Sequence, residues 1–264
     1  MSIEKNIKQS YNSIRAVVSG YAGREHGMEK EKKSPLKQSL WGRFFQVLIT
    51  WTVYFLFRPK VEWEDKAVKK QLKGKPAVFV FNHTHHFDGA FTGAVLGRFR
   101  PYVLVKKDWY EKKAVGTMIS WCRCFPIDLE GTDAGWYSTA EQIIRRNGSL
   151  IIFPEGGIAR EGKIQKFKPG AALVCASTGA CVVPMAIYGG YNMVFGKRQR
   201  LLVGKPIESN CPENMRHSQY AKQLMKQAED ETKRLYGIME QKYGNIGTYT
   251  ESYAEEPQEL QTEQ

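Results

Sequence analysis

The stretch Pro76–Gly89, PAVFVFNHTHHFDG, indicates both a fold class and a place to look for chemistry. Ala77–Phe81 is a continuous apolar run, as expected of a parallel strand that is buried on both faces. Polar residues follow directly, and they include three of the five histidines in the chain. Because binding groups collect at the carboxyl ends of strands in parallel sheets, we expect a functional site immediately after this run.

Similar apolar runs alternate with helical patterns through the rest of the chain. We predict further strands over 102–105, 149–153, 181–188 and 200–203, and helices over 88–96, 109–121, 170–177 and 218–243. Thr132 or Asp133 is a suitable cap for one more helix, which should stop at Asn147-Gly148. This alternation predicts an α/β fold in which a mainly parallel central sheet is flanked by helices.

Composition divides the 264 residues into four predicted parts. Residues 1–38 are predicted to form an amphipathic helix and a charged linker, and residues 39–60 an apolar helix. Residues 61–245 should form the α/β domain, and residues 246–264 an acidic, disordered tail. The first residues contain no apolar signal core, so secretion is not expected.

The apolar segment Phe44–Phe57 predicts an association with membranes. It is shorter than the roughly 20 residues that span a bilayer. The aromatic residues suit the headgroup zone, namely Trp41, Trp51 and Tyr54. We therefore predict an interfacial or re-entrant helix on the cytoplasmic face of the cell membrane, in a peripheral or monotopic protein. A buried core helix is the alternative.

The formal net charge of +12 suggests an anionic partner. Lipid headgroups, a phosphorylated substrate, an acidic carrier protein and nucleic acid all fit that charge. No basic motif interleaved with aromatic residues is present, so nucleic acid is not expected. The five cysteines include no C-x-x-C pair, which indicates reduced thiols rather than disulfides or a zinc knuckle.

Two chemical interpretations of the histidine-rich stretch compete. His83, His85 and His86 approach the H-x-H-x-D-H spacing of metallo-β-lactamase-like hydrolases, but Phe87 stands where that pattern has its aspartate. Zinc needs three or four protein donors, and the remaining histidines lie far away in the sequence. A metal-dependent hydrolase is therefore the weaker interpretation, and no metal is expected.

The stronger interpretation is an acid–base pair. His83 at the end of a strand and Asp88 in the first turn of a helix can face each other across the connecting turn. The carboxylate would then fix the imidazole tautomer and leave the other ring nitrogen basic. The alternative is that Asp88 only caps the helix. A Cys–His arrangement with Cys122 or Cys124 as nucleophile is a further possibility, although structural thiols are commoner.

Three segments, one of which contains this pair, follow one another in a fixed order, each beside a predicted strand, and a fourth leads into the helix predicted over 170–177. They are Asn82-His83-x-x-x-x-Asp88, Phe153-Pro154-Glu155-Gly156, Lys166-Phe167-Lys168-Pro169-Gly170 and Val183-Pro184. Together they resemble the glycerolipid acyltransferase family, typified by lysophosphatidic acid acyltransferases, over roughly residues 75–205.

The resemblance implies a reaction and a set of site residues. His83 would be the general base and Asp88 its partner, with acyl-CoA or acyl-carrier protein as the acyl donor and no cofactor. The acceptor would be the hydroxyl of a lysophospholipid, 1-acylglycerol-3-phosphate, while glycerol-3-phosphate or another lyso-lipid is the alternative. The expected substrate-binding residues are Asn82, Glu155, Gly156, Gly157, Arg160, Lys166, Lys168 and Pro184.

Two family motifs are altered where arginine usually holds the phosphate of the acceptor. The usual F-P-E-G-T-R appears here as F-P-E-G-G-I-A-R, which moves the arginine to position 160. The second motif, G-x-x-F-I-D-R, ends in Leu129 instead of arginine. Basic residues on the same loop, Arg160, Lys163, Lys166 and Lys168, are expected to take over the phosphate contact. The exact acceptor is therefore left open.

Overall fold

The computed structural model describes residues 40–128, 135–159, 163–191, 194 and 196–244. Its helices are α1 Leu40–Phe57, α2 Lys66–Gln71, α3 Asp88–Val95, α4 Lys107–Glu111, α5 Lys113–Trp121, α6 Gly135–Arg145, α7 Gly170–Thr178 and α8 His217–Tyr243. Its strands are β1 Lys60–Trp63, β2 Ala77–Phe81, β3 Pro101–Lys106, β4 Cys124–Ile127, β5 Ser149–Ile152, β6 Cys181–Tyr188 and β7 Arg200–Val203.

The strands form one seven-stranded sheet in the order β1-β7-β6-β2-β5-β3-β4. Every neighbouring pair is parallel except β6 and β7, which are antiparallel. The prediction of a mainly parallel sheet is confirmed. This order places β2 between β5 and β6, so the segments that follow these three strands leave the same edge of the sheet side by side.

Helices cover both faces of the sheet, and the residues of β2 alternate between the two cores. Val78 and Val80 pack into one core with residues of α6, α7 and α8. Ala77, Phe79 and Phe81 pack into the other core with residues of α1, α2 and α3. A strand with apolar neighbours on both faces needs an uninterrupted apolar sequence, which explains the run in Ala77–Phe81.

The predicted inner strands agree with the structure, whereas the outer elements show differences. Strands β1 and β4 at the two ends of the sheet were not predicted, because they are short and only partly buried. Pro126 is tolerated in β4 because an edge strand needs only one row of hydrogen bonds. The single helix predicted over 109–121 is divided, since Lys112 takes an extended conformation between α4 and α5.

Pro184 lies inside β6, a central strand, where proline is normally excluded. Its neighbours show why it is accepted. The Pro184 carbonyl accepts a hydrogen bond from Gly204 N–H, which lies just beyond β7. The missing N–H of Pro184 faces the same side, where Lys205 and Pro206 interrupt regular pairing before Val182 and Ile207 pair again. Pro184 thus lies where the pairing of β6 with β7 is interrupted.

Helix α1 is apolar and mostly exposed. Only Gly42, Val53 and Phe57 are buried along its 18 residues, whereas Trp51 is 73% exposed and Phe55 69% exposed. The alternative of a buried core helix is therefore wrong. The helix is about 27 Å long at 1.5 Å per residue, and by length and composition it is the one membrane-span candidate among the described residues.

Several predictions concern residues outside the described ranges. The amphipathic helix and linker over 1–38 and the acidic tail over 246–264 belong to them. So do the helix cap at Thr132 or Asp133, the altered motif position Leu129, and Arg160. They remain predictions.

Candidate active site

The loops that follow β2 and β5 meet at the carboxyl edge of the sheet. His83 N–H donates to Glu155 Oε1 at 2.7 Å, and Ala159 N–H donates to the His83 carbonyl at 3.0 Å. The His83 and Phe153 rings stack with their centroids 4.3 Å apart. The segments around His83 and Glu155, which are far apart in the sequence, thus lie together in the structure.

His83 and Asp88 form a hydrogen-bonded pair at this edge. The His83 Nδ1 and Asp88 Oδ2 atoms are 2.8 Å apart. The Asp88 side chain is fully buried, whereas 18% of the His83 side chain is exposed. Within the described residues, His83 Nε2 has no hydrogen-bond partner, so the second ring nitrogen is available to a substrate. This is the arrangement that the acid–base interpretation predicts.

Asp88 also holds the turn between β2 and α3. Its Oδ2 accepts hydrogen bonds from Thr84 N–H at 2.6 Å and His85 N–H at 2.9 Å. Thr84 Oγ1 lies 3.3 Å from Oδ1. The Asp88 carboxylate therefore bonds to the turn before α3 and does not cap the helix, which has no side-chain cap. The carboxylate that orients His83 also fixes the backbone of the loop that carries His83.

The other two histidines of the stretch lie in different surroundings. His85 Nδ1 accepts a hydrogen bond from Phe87 N–H, and the two rings stack. Burial lowers the pKa of His85 below its usual value, despite the opposing effect of the Asp88 charge. His86 packs edge-on against Trp109. Among the described residues, no group of three or more His, Cys, Asp or Glu side chains is arranged to hold a metal ion.

Glu155 braces the site from the β5 side. Its Oε1 accepts the hydrogen bond from His83 N–H, and its Oε2 accepts a hydrogen bond from Gln165 N–H at 2.8 Å. Burial raises the pKa of Glu155 to about 7, although the two backbone donors and a charged His83 act in the opposite direction. These hydrogen bonds brace the loop, and the substrate contact predicted for Glu155 stays a prediction.

We expect Glu155→Gln to change how stability depends on pH. The folded protein keeps the Glu155 proton up to pH about 7, whereas the unfolded chain releases it near the ordinary value of 4.5. The free energy of unfolding should therefore fall by about 3 kcal/mol, relative to the neutral glutamine variant, as pH rises through this interval. Denaturant titrations of both proteins in detergent between pH 4 and 8 measure this difference, and parallel curves would contradict it.

Gly156 and Gly157 form the turn after Glu155. The Gly156 N–H donates to the Phe153 carbonyl at 3.1 Å, so it is not available to an anion. Gly156 has a φ of +78°, and the ammonium group of Lys168 occupies the space that a Cβ would fill. A glycine is required here both by the backbone conformation and by the close approach of Lys168. Of the two glycine N–H groups in this turn, only that of Gly157 lacks an acceptor within the described residues.

The segment around Lys166 and Lys168 is held in place by its backbone. Phe167 N–H donates to the buried carboxylate of Glu229 on α8 at 3.0 Å, and Lys168 N–H donates to the Pro154 carbonyl at 2.9 Å. The Phe167 ring is buried in the core, so the two flanking lysines are exposed on the surface next to the Glu155 turn. The position of both lysines fits their predicted role in anion binding.

Asn82 and Pro184 are placed differently from the prediction. The Asn82 side chain is fully buried and exchanges two hydrogen bonds with the Ile187 backbone, at 3.1 and 2.8 Å, beyond the last paired residues of β2 and β6. Pro184 is buried in the middle of β6. Both side chains serve the sheet, and this geometry lends no support to the substrate-binding role predicted for them.

The thiol alternative is contradicted by position and environment. Cys124 begins β4 at the amino edge of the sheet, opposite the edge that carries His83. Burial raises the pKa of both Cys122 and Cys124 above their usual values, so neither is a thiolate at neutral pH.

Sequence reasoning missed one residue that touches the pair. The Tyr191 hydroxyl donates to Asp88 Oδ1. A usable signal existed, because Gly189-Gly190-Tyr191 follows the end of the strand predicted over 181–188. The rule that directed attention to the loops after β2 and β5 applies equally to this segment.

Comparison with known proteins gives the class. The acyltransferase family matches residues 59–188. This range contains β2, β5 and β6 together with His83, Asp88 and the Glu155 turn. Residues 59–188, about half of the chain, thus match the acyltransferase family, and the resemblance to the glycerolipid acyltransferases is confirmed.

Individual relatives agree with this class. A chloroplastic 1-acyl-sn-glycerol-3-phosphate acyltransferase of Arabidopsis thaliana is 27% identical over 51% of this chain and 40% of its own length. The 1-acyl-sn-glycerol-3-phosphate acyltransferase of Bacillus subtilis is 23% identical over 49% of this chain and 66% of its own length. The chain thus spans less than two thirds of these relatives. The crystal structure of the 1-acyl-sn-glycerophosphate acyltransferase PlsC from Thermotoga maritima has a TM-score of 0.48 and 16% identity, covering 87% of this chain and 97% of that chain.

Proposed function

We propose that this protein transfers a fatty acyl chain from an acyl thioester to the free hydroxyl of 1-acylglycerol-3-phosphate, which yields phosphatidic acid for phospholipid synthesis. The observation that carries the proposal is the 2.8 Å contact between His83 Nδ1 and Asp88 Oδ2, with Nε2 open to a substrate. The relatives named 1-acyl-sn-glycerol-3-phosphate acyltransferase support the choice of acceptor.

The geometry suits direct transfer without an acyl-enzyme. His83 Nε2 takes the proton of the acceptor hydroxyl while its oxygen bonds to the thioester carbonyl carbon. Asp88 stabilises the imidazolium that forms. The carbon–sulfur bond then breaks, and the departing thiolate takes the proton back from His83. Acyl-CoA and acyl-carrier protein both supply such a thioester, and the reaction needs no cofactor.

The phosphate of the acceptor would bind beside the Glu155 turn. The Lys168 backbone is held beside this turn by its hydrogen bond to the Pro154 carbonyl, and the Lys168 ammonium group lies in the space that the missing Cβ of Gly156 leaves open. Lys166, two residues earlier, is also exposed. Arg160 belongs to the same loop in the sequence and is a further phosphate ligand in this proposal. These residues would replace the arginines that the family motifs carry at other positions.

We expect Lys168→Ala to raise the KM for 1-acylglycerol-3-phosphate by about 10-fold with little change in kcat, because one charge-assisted contact to bound phosphate is lost. Steady-state kinetics with this acceptor and with 1-acylglycerol, which lacks the phosphate, separates the effect. Lys222→Ala, an exposed lysine on α8, is the matched control. An equal loss with both acceptors would exclude Lys168 as a phosphate ligand.

The apolar helix α1 would place the enzyme on the cytoplasmic face of the membrane, where a lysophospholipid is presented. Trp51 and Phe55 lie four residues apart on one exposed side of the helix. The net charge of +12 would favour a surface that contains anionic lipid. The exposed apolar side of α1 and the positive net charge together support a peripheral or monotopic association with the membrane.

Replacing both Trp51 and Phe55 by serine should weaken binding to lipid vesicles by about 10²-fold, because the apolar area that enters the interface is removed. Co-sedimentation with vesicles that contain phosphatidylglycerol measures the change. Ile238→Ser removes an exposed apolar side chain from α8 and serves as the control. Vesicle binding equal to that of the wild type would mean that α1 does not carry the membrane contact.

The proposed reaction is tested with purified protein, labelled acyl-CoA or acyl-carrier protein, and a panel of acceptors. The panel contains 1-acylglycerol-3-phosphate, glycerol-3-phosphate and lyso-lipids without a phosphate monoester. The altered arginine positions make glycerol-3-phosphate or another lyso-lipid the second candidate acceptor. Fastest transfer to 1-acylglycerol-3-phosphate is the expected result, and no transfer to any acceptor would overturn the proposal.

A further inference from the structure

Tyr191 is the one side chain outside the β2–α3 turn that contacts the Asp88 carboxylate in the described part of the chain. It follows β6, 103 residues along the chain from Asp88, and its hydroxyl donates to Oδ1. We propose, on the basis of the function argued above, that Tyr191 is a positioning residue, which sets the orientation of Asp88 and through it the basicity of His83.

The two oxygens of the Asp88 carboxylate are used very unequally. Oδ2 receives three N–H donors, from His83 Nδ1 and from the backbone of Thr84 and His85. Among the residues that the structure describes, the only other partner of Oδ1 besides the Tyr191 hydroxyl is the Thr84 hydroxyl at 3.3 Å. Tyr191 therefore supplies the strong contact on the second oxygen. Two well-separated contacts fix the plane of the carboxylate, and that plane keeps Oδ2 directed at the His83 ring.

Aromatic contacts from three elements hold the Tyr191 ring in place. Its centroid lies 5.0 Å from that of Phe57 at the end of α1 and 5.9 Å from that of Phe91 on α3. The His85 ring lies at 4.7 Å on a further side. Edge-to-face contacts at these distances leave the phenol little freedom to rotate. The hydroxyl is thus directed at Asp88 by packing as well as by its hydrogen bond.

The segment that carries Tyr191 is bonded to the last turn of α1. Val194 N–H donates to the Leu56 carbonyl at 2.9 Å, and Gln199 N–H donates to the Phe57 carbonyl at 3.3 Å. These bonds satisfy carbonyl groups that a helix end otherwise leaves open. The exposed apolar helix and the acid–base pair are therefore connected through the short segment that begins at Tyr191.

The charges around the pair define what the loss of the hydroxyl would do. The titratable neighbours are His85 in the β2–α3 turn, Glu155 after β5 and Tyr191 after β6, while α1 and α3 present the uncharged rings of Phe57 and Phe91. Burial and the Asp88 charge raise the pKa of Tyr191, so its phenol keeps its proton and remains a donor. Without this donor, more negative charge on Asp88 faces His83, and the imidazole holds a proton more strongly.

Tyr191→Phe tests the proposal, with Tyr188→Phe as the matched control. Tyr188 is the last residue of β6, three residues before Tyr191, but its hydroxyl donates to the Gly244 carbonyl and not to Asp88. We expect Tyr191→Phe to lower kcat about 10-fold with KM unchanged within twofold, and to move the acidic limb of the kcat/KM profile to higher pH. Tyr188→Phe should retain wild-type kinetics. Wild-type kcat and an unmoved acidic limb in Tyr191→Phe would overturn the proposal.

A double-mutant cycle separates positioning from a merely structural effect. If Tyr191 acts through Asp88, Tyr191→Phe should lower kcat no further in an Asp88→Asn background. A full additional 10-fold loss in that background would show that Tyr191 acts elsewhere, which overturns the proposal.

One readout is independent of activity. In protein labelled with ¹⁵N-histidine, the Nδ1 proton resonance of His83, identified by its loss in His83→Ala, should shift in Tyr191→Phe and stay in place in Tyr188→Phe. An unchanged resonance in Tyr191→Phe would overturn the inference. A wild-type enzyme that transfers no acyl group would contradict the proposed function alone, since the resonance can still be compared.

Discussion

His83→Ala should lower kcat for acyl transfer by about 10²- to 10⁴-fold, the usual contribution of a positioned general base. The substrate hydroxyl would then have to lose its proton to water while it attacks the thioester. Neither of the other two histidines of this stretch replaces Nε2, because His85 Nδ1 accepts Phe87 N–H and His86 packs against Trp109.

The loss should be chemical and should not reflect unfolding. In His83→Ala, Asp88 can still accept the hydrogen bonds from the Thr84 and His85 backbone N–H groups. The backbone of residue 83 can also still form its hydrogen bonds with Glu155 and Ala159. Single-turnover assays with labelled donor measure the chemical step, and circular dichroism checks the fold. His217→Ala, an exposed histidine at the start of α8, is the control. Wild-type turnover in folded His83→Ala would remove the general-base assignment.

Asp88→Asn should reduce kcat by about 10³-fold and leave the protein folded. The carboxamide oxygen can still accept the three N–H donors that now reach Oδ2. Its amino group would face the hydroxyl oxygens of Thr84 and Tyr191, which can act as acceptors. The shape of the loop is therefore retained, and what is lost is the negative charge that stabilises the imidazolium.

Asp65→Asn is the matched control for this substitution. Asp65 caps α2 by accepting Ala67 N–H at 2.8 Å, and no histidine is bonded to it. The two variants thus share the change in chemistry and differ in the imidazole partner. Steady-state kinetics gives the loss in kcat, and thermal unfolding in detergent gives the change in stability. If Asp88→Asn lost activity only in proportion to lost folded protein, the carboxylate would hold the β2–α3 turn and have no role in catalysis.

The predictable part of the fold lies in its centre. Strands β2 and β6 are long apolar runs because helices cover both of their faces, and the bounds predicted for β6 and β7 are those observed. The edge strands β1 and β4 escaped prediction because charged or exposed residues interrupt their apolar pattern. An edge strand takes much of its stability from backbone pairing with a neighbour, and the sequence pattern does not record that pairing.

The candidate active site likewise has a part that the sequence predicts and a part that only the structure shows. His83 and Asp88 are five residues apart, so one strand-to-helix turn is enough to bring them together, and the sequence displays both. Glu155, 72 residues beyond His83, was recognised only through its motif, and its function as a brace became visible from its two backbone donors. Asn82 shows the opposite case, since its motif position suggested a substrate contact and its burial assigns it to the sheet.

The amino-acid sequence by itself determined the inner strands of the sheet and the local pair of histidine and aspartate, because burial on both faces and a short turn leave direct marks in a pattern of residues. The tertiary structure decided which chain segments meet at that pair. It brought Glu155 to the His83 backbone, the Lys168 ammonium over Gly156, and Tyr191 to Asp88. These contacts depend on the order of strands in the sheet, and apolar periodicity contains no information about which strands become neighbours.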